Sequence, residues 1–161
     1  MYSAKTFNWG AFYGQLRHTI EDITGFDGEH VLMDYSDKKV SYPYVTVSQP
    51  NRSNLQASSI GSRNKEIADY LIQINCYSTN GNDTMQMADD IATLLFDPLY
   101  KSKFHQYGVV INDINNSTGA VNDFSNLFNV NTSTITLKIT AYRNYASKIN
   151  KINSVDTANT K

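Results

Sequence analysis

The sequence has little cysteine and no long apolar run, and each shortage excludes a class of structure. Its single cysteine, Cys76, rules out an intramolecular disulfide framework and any zinc site built from several cysteines. No run approaches the roughly 20 apolar residues of a membrane-spanning helix. The opening MYSAKTFNWG lacks the apolar core of a secretory signal. We therefore expect a soluble protein made in a reducing cytoplasm, with Cys76 as a small buried hydrophobic residue.

Charge of either sign is also scarce. Charged residues make up 18% of the sequence and the formal net charge is -1, so we expect no long-range attraction to nucleic acid or to an anionic membrane. Hydrophobic residues make up 40% of the 161 residues, which is enough for one domain with a packed core. We predict a single domain over residues 1–147 and a polar C-terminal tail at 148–161.

Motifs that carry chemistry are missing as well. The histidines His18, His30 and His105 do not share a metal-binding spacing. The neighbours Asp89 and Asp90 point about 100° apart on a helix, so they cannot share a proton-transfer site. The sequence therefore predicts no catalytic residue, no metal and no cofactor, and we expect a protein that is not an enzyme.

Two segments have the periodicity of amphipathic helices. In TFNWGAFYGQLRHTIEDITG, apolar residues recur every three to four positions, with Thr6 or Asn8 as the N-cap and Gly25 after the last turn. The second helix, TMQMADDIATLLFDPLY, is predicted to be capped by Asn82 or Asp83 and stopped by the proline near its end.

Other segments alternate apolar and polar residues, as strands do. The clearest are DYLIQINCYST and STITLKITAYRNY, and weaker strands are predicted in EHVLM, YPYVTV and YGVVINDIN. Together with the helices, they predict an α+β fold in which two helices pack on one face of a mixed or antiparallel sheet of four to five strands.

A long polar loop is predicted at 51–66, between two of these strands. It carries Arg52, Arg63 and Lys65, and loops of this length in compact domains are usually functional or disordered. The three cations make it a candidate for contact with a partner, and a solvated loop is the alternative.

Tyrosines mark a second set of candidate contact residues. Eleven tyrosines, seven phenylalanines and one tryptophan are more than a small core needs. Leu71 and Tyr77 lie on the outer side of one predicted strand, Tyr142 on the outer side of the last strand, and Tyr145 just beyond it. Tyrosine is enriched at protein interfaces, although it also simply favours strands.

Five segments in this order, SYPYVTV, a long polar loop, EIADYLIQINCYS, MADDIATLLF and ITLKITAYRNY, resemble the tail terminator (neck) proteins of long-tailed bacteriophages. The resemblance spans Thr6 to Tyr145 and rests on element order and residue types. It implies an α+β subunit that assembles into a homohexameric ring on the last ring of the tail tube, where it stops tube growth.

The resemblance also implies partners and a location. The ring would contact the tail tube protein and the head-tail connector or stopper protein, and genomic DNA would pass through its lumen without sequence-specific binding. Such a protein is found in the tail or neck of the virion and is assembled in the host cytoplasm. The 51–66 loop would reach a neighbouring subunit or the lumen.

Two alternative functions stay open from the sequence. One is a head-completion, connector or minor tail protein of similar build. The other is a small cytoplasmic enzyme or ligand-binding domain, which predicts a deep pocket with converging polar groups.

Overall fold

The computed structural model of the chain describes residues 6–34, 40–54, 65–121 and 130–144. Within these ranges, the side chains of residues 54, 65, 116–121 and 144 lie outside the description. The elements are, in chain order, α1 (Trp9–Thr24), β1 (Val31–Met33), β2 (Tyr44–Val47), β3 (Asn51–Asn54), β4 (Lys65–Ser78), α2 (Gly81–Leu95), α3 (Pro98–His105), β5 (Val109–Val121) and β6 (Val130–Asn144). The predicted α+β fold is confirmed, with a third helix and a six-stranded sheet.

The sheet is mixed and has the strand order β1-β2-β4-β6-β5, with β3 also paired to β4. Only β1 and β2 run parallel, and the other pairs are antiparallel. The long strands β4 and β6 pair from Lys65 opposite Asn144 to Ser78 opposite Asn131. The centre of the domain is therefore a continuous antiparallel ladder, and the short strands lie at one of its edges.

Strands β2 and β3 lie end to end along the same side of β4. Val47 is opposite Ile74, and Asn51 is opposite Leu71. Between them, the backbone N–H of Ser48 donates to the carbonyl of Gln73 at 2.8 Å, and the N–H of Gln73 donates to Ser48 Oγ at 2.8 Å. The serine hydroxyl thus replaces a backbone acceptor, and the ladder continues across the break.

The prediction of a loop over 51–66 is therefore wrong at both ends of the segment. Asn51–Asn54 form β3, and Lys65 begins β4. The polar residues 51–54 do not have the pattern of a strand, but they form one because β4 supplies partners for their backbone hydrogen bonds. The middle of the predicted loop, 55–64, and the predicted tail at 148–161 lie outside the described residues.

Helix α1 is confirmed with the caps that its sequence suggested. Asn8 Oδ1 accepts a hydrogen bond from the backbone N–H of Ala11 at 3.0 Å, which satisfies one of the free donors of the first turn. Gly25 follows the last turn with a φ of 72°, a left-handed conformation that glycine adopts without steric cost.

The second predicted helix is two helices in the structure. Helix α2 is capped by Asn80, earlier than expected, and ends at Leu95. Pro98 does not stop a helix but begins α3, with Asp97 Oδ1 accepting from the N–H of Leu99 at 2.8 Å. Proline suits a first helical position because no partner is needed there for its missing N–H. Among the described residues, no helix has the length and apolar character needed to cross a membrane.

The core lies between the three helices and one face of the sheet. Its central side chains are almost fully buried: Phe12, Leu16, Ile20, Ala88, Ile91, Leu95, Phe104, Ile72, Ile74, Cys76, Ile135, Leu137 and Ile139. An aromatic pair joins the helices to the sheet, since Trp9 packs edge-on against Tyr70 with 4.8 Å between ring centroids. Within the helical layer, the ring centroids of Phe12 and Phe104 lie 5.9 Å apart. The sheet is thus packed on one side.

Truncation of a central core residue should confirm this one-sided arrangement. Leu137 is 0% exposed on β6, so we expect Leu137→Ala to lower the free energy of unfolding by about 2–5 kcal/mol, because it removes apolar contacts and leaves a cavity. The control is Thr136→Ala on the opposite face, which should cost less than about 1 kcal/mol. Urea unfolding followed by circular dichroism measures both, and equal costs would contradict the arrangement.

Candidate functional site

Opposite the helices, the sheet presents a face on which no described helix packs. We call it the uncovered face. Because side chains alternate along a strand, the register of the ladder assigns the residues that follow the core positions to this face. Its exposed or half-buried members are Tyr44, Thr46, Asp69, Leu71, Gln73, Asn75, Tyr77, Thr134, Thr136, Lys138, Thr140 and Tyr142. This surface is polar and aromatic, with few charges.

Hydrogen bonds between side chains cross the strands of the uncovered face. Thr140 Oγ1 donates to Asp69 Oδ1 at 2.6 Å and accepts from Asn112 Nδ2 at 2.6 Å. Farther along β6, Thr134 Oγ1 donates to Asn75 Oδ1 at 2.8 Å. Since these side chains are already ordered, they lose little further conformational entropy when a partner covers them.

A row of tyrosine rings covers one end of this face. The ring centroids of Tyr42 and Tyr44 lie 5.3 Å apart. Tyr44 stacks on Tyr77 with 4.8 Å between ring centroids and an interplanar angle of 23°. Burial raises the pKa of Tyr77 above its ordinary value, so its phenol stays neutral over the physiological pH range. Toward the other end, the side chain of Tyr142 is 52% exposed and lies opposite Ile67 in the ladder.

An ionic cluster ties β3, β4 and β6 together near the end of the sheet. Glu66 binds Arg52 of β3, and its second oxygen lies 3.5 Å from Nη1 of Arg143. Arg143 also donates to the Tyr70 hydroxyl at 3.0 Å and to Thr6 Oγ1 at 3.1 Å. One carboxylate is thus shared by two guanidinium groups, and the segment before α1 is held to the last strand.

The structure brings some of the predicted contact residues together. Leu71 and Tyr77 are half-buried on the uncovered face, and Tyr142 is exposed on the same face. Arg52 is exposed but paired with Glu66.

The remaining predicted contact residues have no described side chain. Arg63 and Tyr145 lie outside the described residues, and Lys65 begins β4 with its side chain outside the description. The stacking of Tyr44 and the role of Arg143 were missed, because both depend on strand register, which the sequence pattern does not show.

A separate group of apolar side chains is exposed where α2 meets α3. Leu94, Phe96 and Leu99 are 37%, 38% and 65% exposed, and Lys101 lies over the Phe96 ring with its Nζ 4.6 Å from the ring centroid. This patch is on the helical side of the domain, away from the uncovered face.

Cys76 is fully buried in the core, as expected. Burial raises the pKa of its thiol from 9.0 to about 12, so it is protonated at physiological pH and cannot act as a thiolate nucleophile.

The side chains of His18 and His30 pair with Glu21 and Asp27. Over residues 6–34, 40–54, 65–121 and 130–144, no group of three His, Cys, Asp or Glu side chains is placed to hold a metal ion.

Comparison with known proteins gives the fold and no more. No family model and no curated protein matches this sequence, whereas 31 chains of solved structures match. One of them, whose name states no function, is similar over 86% of this chain and 94% of its own, with a TM-score of 0.51 and 13% sequence identity. At that identity, the similarity supports the α+β architecture only.

The ionic cluster should contribute to stability. We expect Arg143→Ala to lower the free energy of unfolding by about 1–3 kcal/mol, because it leaves Glu66 and the Tyr70 hydroxyl short of a partner. The control is Lys103→Ala, which removes a half-buried cation 3.6 Å from Asp22 and should cost about 0.5 kcal/mol or less. Chemical unfolding measures the free energy of unfolding of both variants. Equal small losses would show that the cluster does not contribute to stability.

Cys76 should be unreactive in the folded protein. Ellman's reagent at pH 8 should not modify it until urea unfolds the chain, and rapid modification of the native protein would show that the site opens.

The Cys76 thiol should also make stability depend on pH. Because its folded pKa is raised, the stabilisation from this thiol is complete below about pH 9 and is lost as the pH rises toward 12. The loss of stability over that range should therefore be smaller in Cys76→Ala than in the natural protein.

Proposed function

We propose that this protein is a structural virion protein that caps the end of a phage tail tube as a ring and joins it to the head connector. One observation carries the proposal: the sheet is packed against helices on one face, while its other face is ordered, rich in tyrosine and threonine, and free of any described helix. Such a face suits burial by identical copies or by partner proteins.

The proposed mechanism is complementarity between surfaces. Tyr142 and the stacked pair Tyr44 and Tyr77 offer large rigid areas with a polar end, which are properties of residues that dominate binding energies. The hydrogen-bonded threonines and asparagines between them are polar enough to remain exposed before assembly. The subunit is thus suited to persist alone and then assemble, without a chemical step.

The proposed passage of DNA through the ring agrees with the charge of the chain. A net charge of -1 over 161 residues gives no strong cationic field that would hold phosphates during ejection. In this proposal, DNA passes through the lumen without sequence-specific contact, and the protein lies in the neck of the virion.

The proposal is tested by mixing the purified protein with the tail tube protein that it proposes as partner and imaging the tube ends by electron microscopy. We expect rings at one end of each tube and an arrest of tube growth. A strict monomer that does not bind tube ends would contradict the proposal. Binding to the connector but not to tubes would favour the head-completion alternative.

The basic residues of the segment 51–66 provide a variant for this test. Replacement of Arg52, Arg63 and Lys65 together by alanine should reduce ring formation or tube capping severalfold. The melting temperature should fall by only a few degrees, because Arg52 loses its pairing with Glu66 while Arg143 still pairs with that carboxylate. The charge-matched control replaces Arg17, Lys101 and Lys103 on the helical side and should assemble normally. A loss of stability much larger than that of Arg52→Ala alone would show that Arg63 and Lys65 are structural as well.

A further inference from the structure

Strand β5 has a long edge that is open within the described part of the chain, where it pairs only with β6. The N–H of Tyr142 donates to the carbonyl of Gly108 at 2.8 Å, which fixes the backbone groups of β6 that point toward β5. The ladder register then directs the N–H groups of Asn116 and Thr118, opposite Ile135 and Ser133, away from β6. The outer edge therefore presents a regular row of donors and acceptors.

Beyond Asp113, this edge lacks the features that usually prevent strand pairing. Open edges are normally kept short or carry lysine or proline, but the 13 residues VVINDINNSTGAV contain neither. The irregularity between Ile111 and Asp113 lies near the start of the strand, and the N–H of Ile114 donates to Asp113 Oδ1 at 2.9 Å. The open row of backbone groups therefore covers 115–121. By contrast, β1 at the opposite end of the sheet has only three residues.

A second open edge lies on the far side of the sheet, at β3. Within the described residues, β3 pairs only with β4. The N–H of Ser48 donates to the carbonyl of Gln73, so alternate residues of β4, including Leu71, face β3. Asn51, opposite Leu71, therefore faces β4, and the backbone of Arg52 points outward.

The two edges are complementary in charge. The only ionisable side chain of β5 is that of Asp113. The only one of β3 is that of Arg52, which belongs to the cluster of two guanidinium groups and one carboxylate. Pairing of β5 with a second β5 would join two strands whose only charge is negative, and pairing with β3 would not. Because the edges differ, repetition of this contact runs head to tail and can close into a ring.

We infer that the β3 edge of one copy pairs with the β5 edge of the next, so that the sheet continues from subunit to subunit. This inference rests on the proposed function, because it supplies the contact between copies that the ring requires. The occupant of the β5 edge is thus a second copy of this chain, held by backbone hydrogen bonds.

The inference is tested with two proline variants of the full chain. Thr118→Pro and Arg52→Pro each remove an outward N–H, which proline can do at an open edge without breaking the internal ladder. Each variant alone should self-associate at least about tenfold more weakly than the natural protein. Mixed in equal amounts, the two should form a heterodimer that stops at two chains, because each retains the edge that the other has lost. Sedimentation velocity measures both effects.

The controls separate backbone from side-chain effects. Thr118→Ala should associate normally, and Arg52→Ala should associate more strongly than Arg52→Pro. Ser117→Pro removes an N–H directed at β6 and should destabilise the fold. If a variant fails to fold, hydrogen exchange of the natural protein decides: the amides of Asn116 and Thr118 should be protected in the assembly and exchange faster after dilution.

Other outcomes would overturn the inference in distinguishable ways. Unchanged association of both variants, or a natural protein that stays monomeric at high concentration, would exclude this contact. Loss of association in Thr118→Pro alone would show that β5 pairs with itself. If both proline variants still form rings that cap tubes, the proposed function stands and the edge contact is wrong. If the natural protein oligomerises through these edges but never binds tubes, the contact stands and the proposed function fails.

Discussion

Packing of the helices against the apolar face of β4 and β6 is the interaction on which the rest of the structure depends. Ile72 and Ile74 of β4 and Leu137 and Ile139 of β6 are fully buried beneath them. The register of these two strands is fixed by this burial, because a shift by one residue would send every apolar side chain to the other face. The position of β5, β2 and β3 follows from that register.

The same constraint creates the uncovered face. Strand geometry sends each residue between two core positions to the opposite side, so Leu71, Tyr77 and Tyr142 share a surface although they are far apart in the chain. Threonine and asparagine hydrogen bonds order this surface, and the stacking of Tyr44 on Tyr77 extends it to β2. A surface that is ordered before binding, and low in charge, suits burial by a partner protein in an assembly.

Patterns with a strong period were sufficient to predict the main elements. The alternation in DYLIQINCYST and STITLKITAYRNY, and the stripe and caps of α1, correspond to β4, β6 and α1 in the structure. Local sequence was insufficient where contacts with other residues determine the secondary structure. Residues 51–54 look like a loop, but they pair with β4, and Pro98 looks like a stop, but Asp97 caps a new helix there. The cluster of Glu66 with Arg143 joins residues far apart in sequence. Because it depends on strand register, no local motif predicts it.

The central claim is that the uncovered face is buried when the protein assembles. Hydroxyl-radical footprinting of the natural protein, alone and on tube ends, tests it at Tyr142, which is 52% exposed in the single chain. The reference is His18 on α1, whose side chain is 74% exposed. The claim predicts that oxidation of Tyr142 falls severalfold on assembly while that of His18 stays constant. Equal oxidation of Tyr142 in the free and the assembled protein would contradict it.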